Sequence, residues 1–120
     1  MKTFRDLKVW EKAHQLALSS YQATRAFPKD EAYGLTRQIR SAALSIAANI
    51  AEGCGRTKGD FGRFLQIAMG SASELEYLFL LSHDLGLIAA GTHACLLEPV
   101  VEVKKMLAGL IARLRSETDH

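Results

Sequence analysis

Residues 41–51 read SAALSIAANIA, eleven residues without a charge, inside a segment (residues 30–52) whose pattern predicts a helix. Side chains this small and uncharged, repeated around a helix, mark one buried on more than one side. On a 100° wheel Leu35, Ile39, Ala42, Ala43, Ile46 and Ile50 fall in one narrow stripe, the pattern of a core-facing helix. The rest of the circumference is not a Lys/Glu surface. One arc holds Ser41, Ser45, Gln38, Asn49 and Glu52; the other holds Ala47, Ala48, Ala51 and Leu44 with Arg37 and Arg40. The expectation is a central helix with neighbours on two or three faces, some of them from other copies of the chain.

Working outward, residues 3–25 predict a first helix, with Leu7, Trp10, His14, Ala17, Leu18 and Tyr21 at helical spacing and Lys8, Glu11, Lys12 and Gln15 opposite. Phe27-Pro28 ends it, because the residue before a proline is driven out of the helical region. Asp30 is the expected N-cap of the second helix, with Gly34 softening its first turn. The sequence Glu52-Gly53-Cys54-Gly55 supplies glycine where that helix stops.

Thr57 to Asp60 fits a capping box opening a third helix. Its core stripe is Phe61, Phe64, Leu65, Ala68, Ala72, Leu75 and Phe79. Ile67, Met69, Leu78, Leu80 and Leu81 spread apolar surface round the other sides, and the small residues 70–73 permit close helix approach. Asp84-Leu85-Gly86-Leu87 reads as a Schellman stop. Thr92 is the expected cap of a fourth helix with the stripe Leu96, Leu97, Val100, Val103, Leu107, Leu110, Ile111 and Leu114. Pro99 either kinks that helix or marks its true first turn. No strand pattern, repeat or low-complexity tract occurs, so the fold class is all-α and the architecture an antiparallel up-down four-helix bundle in one domain, residues 1–120.

Composition narrows the function classes. At 120 residues the chain can bury a core without metal or disulfide staples, and 48% apolar residues with two prolines exclude a disordered tail. The net charge of +2 is unevenly placed: residues 1–27 carry +3, residues 28–59 +2 and residues 60–88 −3. The basic and acidic regions could complement one another within the bundle or between subunits, or the basic half could face phosphate. The first fourteen residues have no uninterrupted apolar core and no stretch approaches a membrane span, so the expected location is the cytoplasm, with Cys54 and Cys95 reduced.

The segments FRDLKVWEKA at 4–13, FPKDEAYGLTRQIRSAALSIAANIAEG at 27–53 and FLQIAMGSASELE at 64–76 resemble the bacterial four helix bundle protein family. That family includes proteins encoded by intervening sequences in 23S rRNA genes and, more distantly, the accessory variability determinant of diversity-generating retroelements. The resemblance implies a four-helix protomer assembling into a homo-oligomer, commonly a barrel-shaped pentamer, without established enzymatic activity. For the retroelement relatives it further implies binding of nucleic acid and of a reverse transcriptase. Those relatives are more strongly basic than this chain.

Two residue groups stand as candidate sites. Ser45, Asn49, Glu52, Ser71 and Glu74 are polar positions on helices that otherwise read as buried, either a hydrogen-bonded interface network or a solvated seam. Arg37, Arg40, Arg56, Lys58 and Arg63 are the candidate contacts to RNA or DNA, with exposed amides opening the third helix; the alternatives are pairing with Glu74 or Glu76, or plain solvation. No aromatic is interleaved among them to stack bases.

Enzymatic patterns are poor. GCGRTKG at 53–59 lacks the P-loop order and no strand precedes it. His93 and Cys95 offer two metal ligands without a second pair, and read as a capping loop with a core cysteine. His14 and His83 are expected as packed, hydrogen-bonded residues on core faces. Arg115 to His120 has the RxxxxH spacing of helical-bundle ribonucleases, but a terminal histidine reads as a solvated tail. No catalytic residue, metal site or cofactor is assigned.

Overall fold

The computed structural model describes residues 3–118. It contains four α-helices: α1 (Lys8–Thr24), α2 (Leu35–Gly53), α3 (Lys58–Asp84) and α4 (Ala90–Thr118). Single turns of 3-10 helix, Phe4–Asp6 and Lys29–Glu31, precede α1 and α2. Each helix packs on the next and α4 returns to α1, while the diagonal pairs make no comparable contact. Cross-helix pairs fix the directions. Arg40 near the start of α2 meets Thr24 at the end of α1, Ser45 meets Ser71, Glu76 meets Lys104, and Lys58 meets Glu117. The helices therefore alternate up and down in a bundle of 50 × 20 × 20 Å. The 29 residues of α4, at 1.5 Å of rise each, account for about 44 Å of that length.

The core is the α2 stripe and what it touches. Leu35, Ile39, Ala42, Ala43, Ile46 and Ile50 are all buried, facing Leu65, Leu75 and Phe79 of α3 and Val100, Val103 and Leu107 of α4. Gly53 does more than end α2. A Cβ there would sit 2.8 Å from the Cβ of Phe64 and 2.9 Å from Cδ1 of Phe61, so its bareness lets α2 and α3 close together. The turn itself falls to Gly55, at φ 91°.

At the start of α3, Thr57 Oγ1 accepts from the Asp60 amide at 3.2 Å. At its end Gly86 adopts φ 78°, with Gly86 N–H on the His83 carbonyl and Leu87 N–H on the Ser82 carbonyl, both 2.9 Å, which is a Schellman stop.

Four expectations are corrected. Asp30 does not cap α2: Pro28 starts its own 3-10 turn, and the helix begins at Leu35 after Gly34, with Glu31 Oε1 accepting from Leu35 N–H at 3.4 Å. Thr92 does not cap α4, which opens at Ala90 and runs unbroken through Pro99. Cys95 is exposed on α4 rather than in the core.

The fourth correction concerns α1. Its buried face is Val9, Ala13, Leu16, Ser20 and Thr24, whereas His14, Leu18 and Tyr21 are exposed and Trp10 is half-buried. Two buried hydroxyls on that face are satisfied by their own helix: Ser20 Oγ donates to the Leu16 carbonyl at 2.7 Å and Thr24 Oγ1 to the Ser20 carbonyl at 2.9 Å. The bulkier side chains are left on the flank.

Candidate functional site

The polar positions of α2 and α3 divide. Ser45 and Ser71 share a hydrogen bond of 2.9 Å across the two helices, and Asn49 Nδ2 donates to Ser45 Oγ at 3.0 Å and to the Ser45 carbonyl at 2.8 Å. All three are half-buried, so this cluster is a short tie at the outer edge of the α2–α3 contact. Glu52 is not part of it: its carboxylate pairs with Arg56 one turn on. Glu74 is exposed and stands apart, and Glu76 takes Lys104 at 2.8 Å instead of an α2 arginine.

The five candidate cations also divide. Arg40 turns inward, its Nε donating to Thr24 Oγ1 at 2.8 Å, its Nη2 to the Tyr21 carbonyl at 3.3 Å, and its guanidinium lying 4.8 Å from the centre of the Tyr21 ring. It clamps the end of α1 to α2. Arg37, exposed one turn earlier, is at the same end of the bundle. Arg56, Lys58 and Arg63 lie at the opposite end, because the α2–α3 connection is there. The up-down topology brings Arg113 and Arg115 of α4 to that same end. Arg56 is held by Glu52 and Lys58 by Glu117 at 3.4 Å, both pairs solvent-exposed. Arg56 and Arg63 flank the Phe64 ring at 5.1 and 4.7 Å.

Of the two histidines expected to be packed and hydrogen-bonded, His14 departs from that expectation and His83 does not. His14 is exposed and stacks on Trp10, rings 5.0 Å apart and 6° from parallel, rather than facing the core. His83 stacks on His93 at 5.0 Å, joining the end of α3 to the start of α4, and its Nδ1 lies 3.2 Å from Asp84. His93 Nε2 is buried with no hydrogen-bond partner among the described residues. Also among the described residues, no group of three His, Cys, Asp or Glu side chains is placed to hold a metal ion. No helix among them is long and apolar enough to cross a membrane. Arg115 lies in α4, but the histidine of the RxxxxH spacing, His120, lies outside the described residues.

Two apolar surfaces emerge that were only partly visible in the sequence. On the α1–α2 face, Leu18 and Leu44 are 52% and 47% exposed and Tyr21 and Ala48 lie on the same side. On the α3–α4 face, Tyr77 and Leu80 are 57% and 45% exposed and, with His93 and Leu97, line a groove of 310 Å³. Because the helices pack in the cyclic order α1, α2, α3, α4, these faces are opposite one another. Met69, expected on such a surface, is half-buried against the core. The α1 share is hidden in the sequence because Leu18 and Tyr21 recur at helical spacing with Trp10 and Ala17; the 3.6-residue period of Val9, Ala13, Leu16, Ser20 and Thr24 is the signal that separates them.

Comparison with known proteins agrees with the architecture. No curated protein matches the chain. Among solved structures, a protein of unknown function from the S23 ribosomal protein family of Bacteroides thetaiotaomicron is 25% identical and superimposes with a TM-score of 0.77. That similarity covers 86% of this chain and 97% of the other. The family model described as 23S rRNA-intervening sequence protein matches residues 5–109. The chain belongs to the 23S rRNA-intervening sequence protein family.

Proposed function

We propose that this protein is a non-enzymatic scaffold that works as a homo-oligomer, a closed ring of the pentameric kind its family resemblance implies. The observation that carries the reading is the pair of dissimilar apolar faces on opposite sides of one protomer. Leu18, Tyr21, Leu44 and Ala48 are exposed on α1 and α2; Tyr77, Leu80 and Leu97 border a groove. A two-fold dimer uses one patch twice, whereas two different patches pair head to tail, and head-to-tail contacts build a ring when the rotation between neighbours closes and an open filament when it does not. Apolar patches of this kind on a small soluble domain are the ordinary mark of a protein–protein contact. The half-buried Ser45–Asn49–Ser71 tie stiffens the edge between α2 and α3, which carry one face each.

The test is complementation. Leu44→Glu and Leu80→Glu each disable one face, and both side chains are exposed enough for the protomer to keep its helical circular dichroism. Native mass spectrometry of either variant alone should give monomers. A mixture should give heterodimers, since each supplies the face the other lacks. Rings persisting in either variant, or no association in the mixture, would refute the head-to-tail reading.

A second reading is contact with RNA or DNA. It is favoured by the gathering of Arg56, Lys58 and Arg63 with Arg113 and Arg115 at one end of the bundle, which a ring would repeat around its rim. Arg37 and Arg40, at the other end, play no part in it. Gel shifts should show binding that weakens with salt and is lost on joint substitution of Arg56, Lys58 and Arg63. Absence of binding at low salt would remove this reading.

A further inference from the structure

The hydrogen bond between Ser45 and Ser71 marks one level along the bundle from which positions on α2 and α3 can be measured. The two helices run in opposite directions, and each residue advances about 1.5 Å. Toward the end where α2 begins, Arg37 stands about 12 Å above that level, Ser41 about 6 Å and Leu44 about 1.5 Å, while Ala48 is about 4.5 Å below it. On α3, Tyr77 stands about 9 Å and Glu74 about 4.5 Å above, with Gly70 about 1.5 Å and Ile67 about 6 Å below. All eight residues are exposed. Steps of three and four residues place each set in one stripe along its helix, turned away from the core.

The two stripes match level by level. Leu44, 47% exposed, stands opposite Gly70, where a Cβ would meet nothing within 4 Å. Packing inside the protomer therefore does not require that glycine, unlike Gly53, yet it weakens the middle of α3 relative to alanine. Below, the pairing of large with small reverses: Ala48 shares a level with Ile67, which is 42% exposed. Above, the α2 stripe ends on a cation and the α3 stripe carries an anion. Among the described residues neither Arg37 nor Glu74 has an ion-pair partner.

We propose that the α2 stripe of one copy seats on the α3 stripe of a second copy, with Leu44 over Gly70, Ala48 against Ile67, and Arg37 reaching across Tyr77 to the Glu74 carboxylate. This register rests on the ring reading above: a closed ring relates neighbours by rotation alone, so copies standing side by side make no shift along the bundle and residues at one level meet. Complementary charge selects the second copy as the occupant, because the Arg37 that one stripe leaves unpaired faces the Glu74 that the other leaves unpaired. The Tyr77 ring under the guanidinium adds a cation–π contact, and the knob of Leu44 over bare backbone lets the two helices approach closely.

Charge reversal with light scattering in line with size exclusion tests it, beside the unmodified protein. Arg37→Glu and Glu74→Arg each set like charges at every contact and should raise the concentration needed for assembly roughly 10-fold or more. The double variant, and an equal mixture of the two single variants, should return toward the parent, since each restores opposite charges across the contact. Gly70→Leu should give monomers with intact helical circular dichroism, whereas Gly109→Leu, at an equally open glycine of α4, should assemble like the parent. A parent that is itself a single chain would overturn the register and the ring together. A parent that assembles, with the double reversal no better than the single ones or Gly70→Leu assembling normally, would overturn the register alone.

Discussion

Replacing Gly53 by alanine isolates the contact that sets the spacing of α2 and α3. The backbone at Gly53 is helical and not left-handed, so alanine meets no conformational barrier there; its cost is steric. The added Cβ would lie 2.8 Å from Phe64 Cβ, about 0.7 Å or more inside the ~3.5–4.0 Å optimum for carbon pairs. Phe64 Cβ is fixed to the α3 backbone and cannot swing away, so the helices themselves must part. Overpacking of this kind costs about 1–3 kcal/mol. The gain from removing a helical glycine, about 0.5–1 kcal/mol, offsets part of it.

Taking the middle of each range, the net expectation is a loss of about 1 kcal/mol, a fall in melting temperature of roughly 3–6 °C for a chain of this size. Gly109→Ala is the matched control: a Cβ there meets nothing within 4 Å, and the variant should gain up to about 1 kcal/mol. Thermal and urea denaturation followed by circular dichroism at equal protein concentration reads both. A Gly53→Ala protein as stable as the parent, or more so, would refute the reasoning.

Two further substitutions probe the ties between helices. Arg40→Ala removes two hydrogen bonds and a ring contact at the α1–α2 junction and should cost about 1–3 kcal/mol by urea titration, with Arg40→Lys recovering only part because the fork is lost. Ser45→Ala and Ser71→Ala should each cost about 0.5–1.5 kcal/mol, and the double variant less than the sum, since both delete the same 2.9 Å bond; strict additivity would show the bond to be energetically idle.

The α2 stripe was legible because six apolar positions share one face and the charged residues avoid it. The stripes of α3 and α4 were legible for the same reason, as was the glycine stop at Gly86. α1 is harder to read because three of the five residues on its core face, Ala13, Ser20 and Thr24, are small or hydroxylated, the two hydroxyls being satisfied on their own helix, while a greasier set runs beside them at the same period. Hydrophobicity ranks the wrong face first there. Gly53 was read as a terminator, since nothing in a sequence tells a glycine needed for its torsions from one needed for its missing side chain.

Long-range capture was equally invisible. Arg40 finds Thr24 sixteen residues away, and Arg115 comes beside Lys58 and Arg63 only because four helices alternate in direction. The candidate cations looked like one cluster in the chain and are two in space. The Ser45–Asn49–Ser71 contact was anticipated from polar residues on apolar helices, but Glu52 and Glu74 do not join it, being far enough round their helices to reach solvent.

The measurement that bears most directly on the account is the solution mass of the unmodified protein at micromolar concentration, by light scattering in line with size exclusion. The account predicts a single species with a mass near five copies of the 13.2 kDa chain. A species of one chain, with Leu18, Leu44, Tyr77 and Leu80 left in water, would contradict it.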